Sequence, residues 1–178
     1  QAIVANVDVR NCFPSVSWQR VLWVLRRDFA NRLSTTAIGM LCDLVTAEGG
    51  LPVGAPTSPA LLNRVLFRTD EILADLAARQ NVRYTRYADD LTFSGDHAAV
   101  RMLGHARRVL NQVGLRIDPD KTQVYRRGGQ QLVTGLVVND RVSVPRQTRR
   151  RLRAAVHAAQ AGLPVHWQGV PQSRASLQ

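Results

Sequence analysis

The chain has 178 residues, 45% of them apolar and 21% charged, so it can bury a core as one domain, or one domain plus part of another, and disorder is not the default. Its 24 Lys and Arg outnumber 13 Asp and Glu, leaving +11, and all but Lys121 of that positive charge is Arg; a polyanion, nucleic acid first, is the partner this charge fits. No apolar run reaches the ~20 residues of a membrane span, and Cys12 and Cys42 form neither a disulfide framework nor a zinc-spaced cluster, which fits a cytoplasmic protein. The chain opens on Gln1 and runs straight into a strand, as a segment from within a larger protein would.

In chain order, Ile3, Ala5, Val7 and Val9 alternate with Val4, Asn6, Asp8 and Arg10, which predicts a strand with Asp8 on its more polar face near the end. Pro14 and Ser15 break the run. Ser17 then caps a helix to Phe29 whose core stripe is Trp18, Val21, Leu22, Leu25 and Phe29. A second helix runs from Ser34 to about Ala47 and stops at Gly49-Gly50. The loop from Leu51 to Pro59 holds three prolines and Gly54, and it delivers a long helix with Ser58 as N-cap, Pro59 in its first position and an end near Arg79.

Two apolar-alternating runs, 82–86 and 91–94, read as hairpin strands that meet at Tyr87-Ala88-Asp89-Asp90. A helix with an apolar stripe from Ala99 to Val113 follows and closes at Gly114. Short strands are expected around 115–117 and 121–125, and hairpin segments at 131–138 and 141–144. A basic helix begins after Pro145 and runs to about Ala161, carrying Arg146, Arg149, Arg150, Arg151, Arg153 and His157. From Gly162 onward there is no clear period. Strand, helices, strand pair, helix and strand make a split βαβ order: an α+β, ferredoxin-like antiparallel sheet with helices on one face and the other face open. The boundary falls near 139–145, dividing residues 1–138 from residues 139–178.

Two adjacent carboxylates at ~4 Å repel by roughly 1 kcal/mol in water and about 4 in a partly buried site, so a positive group belongs nearby. As plain turn residues, Asp89 and Asp90 would lack the Gly or Asn that a tight hairpin favours. In a sheet of this order the first strand and the hairpin are central neighbours. Asp8 then meets Asp89 and Asp90, although 81 positions separate Asp8 from Asp89. Two arrangements stay open. Hard oxygen ligands select Mg²⁺ or Mn²⁺, and two such ions ~4 Å apart are what phosphoryl transfer uses; alternatively Arg10, Arg83 or Arg86 neutralises the acids in a structural network.

The strings VDVRNCF, LPVGAPTSP, YADD and DPDKTQV, in this order and spacing, resemble the motifs of reverse transcriptases over nearly the whole chain. QLVTGLVVND, VPR and RRRLRAAVH resemble the bacterial retron-type enzymes, with CRISPR-associated and other retron-like enzymes close behind. The resemblance implies a polymerase palm over 1–138 and the start of a thumb over 139–178. It implies RNA-directed DNA synthesis from dNTPs on a DNA primer, with two Mg²⁺ ions (Mn²⁺ as the substitute) and a structured non-coding RNA as further partner. Asp8 and Asp89 would be metal-binding carboxylates, Asp90 their support, and the backbone of Val9 a further ligand. Asn11 and Cys12 would offer N–H groups to the triphosphate, and Phe13 would be the steric gate against a 2′-hydroxyl.

Gly54 would allow close approach of the nucleotide, and Thr57 and Ser58 would either touch template or only shape the helix start. Lys121 would protonate the departing pyrophosphate, a task for which Arg is unsuited because it essentially never gives up its proton. Arg146, Arg149, Arg150 and Arg153 would hold nucleic-acid backbones. The chain departs from the family at Val53, which replaces the glutamine of the usual LPQG, and in lacking a fingers region before Asp8. The 178 residues alone are therefore expected to be a weak or inactive polymerase, completed by further sequence or another chain. A degenerate RNA-binding scaffold and a template-independent nucleotide polymerase are the alternative functions.

Overall fold

A computed structural model describes residues 2–167 and 170–172 and divides the chain into two compact units, Gln1–Thr134 and Gly135–Gln178. In the first unit the elements are β1 (Ile3–Asp8), α1 (Cys12–Ser15), α2 (Trp18–Phe29), α3 (Thr35–Val45), α4 (Ser58–Arg79), β2 (Arg83–Tyr87), β3 (Asp90–Gly95), α5 (Ala98–Gln112), β4 (Gln123–Arg126) and β5 (Leu132–Val133). The second unit holds β6 (Leu136–Val137), α6 (Arg146–Gln160), β7 (Val165–Trp167) and β8 (Val170–Gln172), with β7 and β8 paired antiparallel.

The main sheet is antiparallel with the order β2-β3-β1-β4, the order of a ferredoxin-like fold. β1 and β3 lie at the centre, as the sequence pattern requires. Period-2 alternation sends Val7 of β1 and Leu91 and Phe93 of β3 into the core with Leu62, Leu66 and Leu73 of α4 and Met102, Ala106 and Leu110 of α5. Ser17 and Ser34 cap α2 and α3 by accepting from the N–H groups of Arg20 and Ala37. The Arg64 guanidinium of α4 grips Asp28 of α2 through both its oxygens, at 2.7 and 2.8 Å, and so ties α2 to the long helix.

Several expectations are corrected. Ser58 does not cap α4: it is the helix's first residue, Thr57 precedes it without a side-chain cap, and the buried Ser58 hydroxyl donates to the Pro52 carbonyl at 2.7 Å. The hydroxyl braces the proline loop instead, because the chain turns back on itself there. Pro14 and Ser15 lie past the end of β1, as expected, and belong to α1, a single turn that Pro tolerates near its start. Residues 115–117 contribute one bridge, Val9 with Ile117, rather than a strand, and residues 141–144 contribute a bridge from Val137 to Ser143. The face opposite the helices is not wholly open: the Asn6 amide donates to the Leu132 carbonyl at 2.7 Å.

Phe93 has no exposed surface, and its ring stacks on Tyr84 with centroids 5.2 Å apart. Phe93→Ala is expected to lower unfolding free energy by about 3–5 kcal/mol, read by denaturant titration of the chain; less than about 1 kcal/mol would mean the centre of the sheet is not the packed core.

Candidate active site

Asp8 ends β1, and its neighbours fix that end. The Asp8 carbonyl accepts from the Asp118 N–H at 2.9 Å, and the Arg10 N–H donates to the Arg116 carbonyl at 2.8 Å. In the register of β1 with β3, Asp8 stands opposite Asp90, and Asn6 opposite Thr92. Directly opposed residues have Cβ atoms about 5 Å apart, so Asp8 and Asp90 share one face of the sheet. The Thr92 hydroxyl donates to the Asn6 side-chain oxygen at 3.2 Å on that same face. Burial raises the Asp90 carboxyl above the usual carboxylate range, and the charges of Asp89 and Asp8 push it further.

Asp89 sits at the hairpin turn, between the Tyr87 and Asp90 that close it. Its neighbour Ala88 takes φ 51°, the left-handed region that the absent Gly or Asn would have filled without strain. An alanine there costs roughly 1–2 kcal/mol.

The positive group beside the acids is Lys121, whose Nζ lies 3.3 Å from Asp8 Oδ1. This hydrogen bond, followed by the Asp8 charge, holds the ammonium above the ordinary lysine range. Arg86 and Arg10 do not neutralise the site: Arg86 pairs with Asp70 at 2.6 Å and Arg10 with Asp118 at 3.7 Å. Among the described residues no group of three or more His, Cys, Asp or Glu is drawn together to hold a metal ion. What the face does offer is the right kind of donor: carboxylate oxygens, in excess of the positive charge that meets them.

After Val9, which bridges to Ile117, Asn11 takes φ 44° and turns the chain into α1. The N–H groups of Cys12 and Phe13 fall in that first turn, where a helix has no acceptors of its own for them. Burial, with the Asp89 charge behind it, pushes the Cys12 thiol up to about 12, so it is a packed thiol and not a nucleophile. The half-buried Phe13 packs against the core, and its carbonyl accepts from the N–H groups of Val16 and Leu51 at 3.1 and 3.2 Å.

Val53 is 76% exposed, Gly54 takes φ 84°, and Thr57 is exposed in the same loop. Arg146, Arg149, Arg150 and Arg153 are all exposed on α6 of the second unit, a helix with no buried residue.

Sequence reasoning missed Gly50. A Cβ there would lie 2.3 Å from the Pro14 carbonyl oxygen, so the loop after α3 touches the turn after β1 only because position 50 has no side chain. The adjacent glycines signalled a helix stop, and nothing local distinguished a stop from a close approach. Asn63 and Asp70 were missed for a similar reason: on α4 they read as ordinary solvated polar positions.

Comparisons with known proteins bear on the family and the fold. Residues 1–170 match the family model described as reverse transcriptase (RNA-dependent DNA polymerase). Retron Mx65 reverse transcriptase of Myxococcus xanthus is 42% identical over 172 residues, spanning 87% of this chain and 40% of that protein. Retron Mx162 reverse transcriptase of the same organism is 37% identical over 195 residues (91% and 40%), and Retron Ec86 reverse transcriptase of Escherichia coli 32% over 159 (86% and 48%). The chain thus spans less than half the length of these relatives.

Among solved structures, apo telomerase from Candida tropicalis truncated from its C-terminal domain superposes with TM-score 0.62 at 12% identity, covering 80% of this chain and 35% of that one. Telomerase from Candida albicans in complex with the TWJ fragment of telomeric RNA gives 0.59 at 14%, covering 81% and 30%. At such identity these likenesses speak for the fold alone, an α+β polymerase palm. With the motifs in register on that sheet and the family model matched over nearly its whole length, the chain belongs to the reverse transcriptase family.

Proposed function

We propose that the chain is the palm, with the start of the thumb, of a retron-type RNA-directed DNA polymerase that joins deoxynucleotides to a primer 3′-hydroxyl on an RNA template. The observation that carries this reading is the register of β1 with β3, which sets Asp8 opposite Asp90 with Asp89 at the adjoining turn. Asp8 and Asp89 would hold divalent ions, Mg²⁺ or Mn²⁺, with Asp90 in support and the Val9 carbonyl as a further donor. Bound there, the ions supply a more acidic primer hydroxyl and countercharge for the phosphates.

The remaining steps belong to the chain's own groups. N–H groups at Asn11 and Cys12 and the side-chain-free Gly54 accommodate the triphosphate, and the Phe13 ring sets the sugar preference. Val53, exposed and apolar, replaces a polar sugar contact with a weaker one. Lys121 delivers a proton to the departing pyrophosphate; the raised affinity for its proton keeps it charged through neutral pH and postpones its loss to more alkaline solution.

The exposed arginines of α6 bind template and primer phosphates, and Thr57 stands ready for the template; the likeness to retron enzymes adds a structured non-coding RNA as partner. No helix of the described residues is long and apolar enough to cross a membrane, and the two buried free cysteines go with a reducing, cytoplasmic setting.

The test is extension of a DNA primer on a heteropolymeric RNA by the 178-residue chain and by a longer polypeptide that includes a fingers region. Mg²⁺-dependent product complementary to the RNA is expected from the longer form, with little from the shorter. Equal extension by both would refute the need for fingers, and no templated product from either would leave an RNA-binding scaffold. That second reading draws on the Lys121 contact with Asp8, which occupies a carboxylate the reaction needs. In the active form Lys121→Ala is expected to lose about 10²–10⁴ in rate and to flatten the alkaline limb of the pH profile. An unchanged limb would take the proton-donor role away from it.

A further inference from the structure

Beside the acidic turn lies a half-buried polar cluster that the reaction does not itself use. Arg86, on β2 two residues before Ala88, has a side chain only 9% exposed. Its Nε and Nη2 donate to the two oxygens of Asp70 on α4 at 2.9 and 2.6 Å. Its Nη1 donates to the Asn63 side-chain oxygen at 3.0 Å and to the Ala88 carbonyl at 2.8 Å. The Tyr84 hydroxyl donates to Asp70 Oδ1 at 2.7 Å, so the carboxylate that orients Arg86 is itself oriented.

All three guanidinium nitrogens are thus committed, and among the described residues the one backbone group they reach is the carbonyl next to Asp89. That carbonyl belongs to the residue held at φ 51°, a conformation alanine does not keep unless its surroundings impose it. Fixing the peptide between residues 88 and 89 fixes the direction in which Asp89 leaves the turn. A planar, rigid fork that spans helix and hairpin suits that task, whereas a lysine's three donors radiate from a single nitrogen and cannot pair side-on with Asp70 while reaching the turn.

We propose that Arg86, oriented by Asp70 and Asn63, is a positioning residue: it clamps the Ala88 carbonyl so that the turn presents Asp89 toward Asp8 in the geometry that binds the divalent ion. Arg86 touches no substrate, and its effect passes through the backbone of the turn. The inference rests on the polymerase reading of Asp8 and Asp89 and adds the device that aims one of them.

The test is Mn²⁺ binding to the 178-residue chain, followed by the loss of the free-ion paramagnetic signal at low temperature and corrected to the folded fraction. Arg86→Lys and Asp70→Asn are each expected to weaken binding at least fivefold among folded molecules. Together they should cost little more than either alone, because one clamp is broken in both. Ala88→Gly, placed in the Arg86→Lys chain, is expected to recover part of the affinity, since glycine reaches the required φ without being held there.

A purely structural pair would lower the unfolding midpoint and leave the affinity of folded molecules unchanged; that result, or strictly additive losses, overturns the proposal. Asp8→Asn separates the two levels of argument. If the unsubstituted chain binds Mn²⁺ and Asp8→Asn abolishes it while Arg86→Lys does not weaken it, only the positioning role falls. If the unsubstituted chain binds none, the metal-site reading falls and the inference with it.

Discussion

Asp8→Asn and Asp89→Asn are each expected to reduce RNA-templated nucleotide incorporation by about 10³-fold or more in a polypeptide that includes a fingers region. The amide keeps the size of the carboxylate and removes its charge, so folding is not what is tested. Stabilisation by a bound divalent ion at the reacting phosphate amounts to several kcal/mol. At about 1.4 kcal/mol per factor of ten, losing roughly 4 kcal/mol gives that reduction. Asp90→Asn is expected to cost less, because Asp90 supports the two metal-holding acids, Asp8 and Asp89, and both of those keep their charge. Incorporation by Asp8→Asn within tenfold of the unsubstituted protein would separate the acidic face from the chemistry.

The second large effect is expected at a residue that touches no substrate. Gly50→Ala puts a methyl group, fixed rigidly to the backbone, against the Pro14 carbonyl oxygen, itself a backbone atom. Neither can swing aside as a side chain would, so the loop must move away from α1. Overpacking of this kind costs about 1–3 kcal/mol in unfolding free energy, measured by denaturant titration. The hydrogen bond from the Leu51 N–H to the Phe13 carbonyl lies one residue away and would lengthen with the loop. Phe13 then loses its seat, and a lower preference for dNTP over rNTP is expected alongside the stability loss. Full stability in Gly50→Ala would show that the two loops are free to separate, and unchanged sugar preference would disconnect Phe13 from them.

The parts of the fold set by periodic burial were legible in the sequence. Val7, Leu91 and Phe93 alternate with polar neighbours, and that pattern orders the strands and puts Asp8 on the polar side. The helices followed from their stripes and from Ser17 and Ser34. What escaped was set by contacts between distant backbones. Ser58 has the chemistry of a cap, but the proline loop folds back and takes its hydroxyl at Pro52. The hairpin lacks a turn glycine, and the compensation comes from Arg86, whose orientation depends on Asp70, 16 positions earlier on another element.

The site shows the same division. Adjacent acids at the hairpin and one far upstream are readable as residue types, and their repulsion called for a cation. That the cation is Lys121, held against Asp8, depends on how the segment from Arg116 to Thr122 returns to the end of β1. The contacts of Arg10 with Arg116 and of Asp8 with Asp118 set that return, and no local pattern encodes them.

The most direct measurement is Mn²⁺ binding to the 178-residue chain and to its Asp8→Asn and Asp89→Asn variants, with circular dichroism confirming that all three are folded. Binding by the unsubstituted chain and a loss of at least tenfold in each variant is the expected result, because the ligands come from two strands and neither suffices. Equal binding by all three, or none by the unsubstituted chain, would contradict the claim that these strands jointly form the metal site of a polymerase.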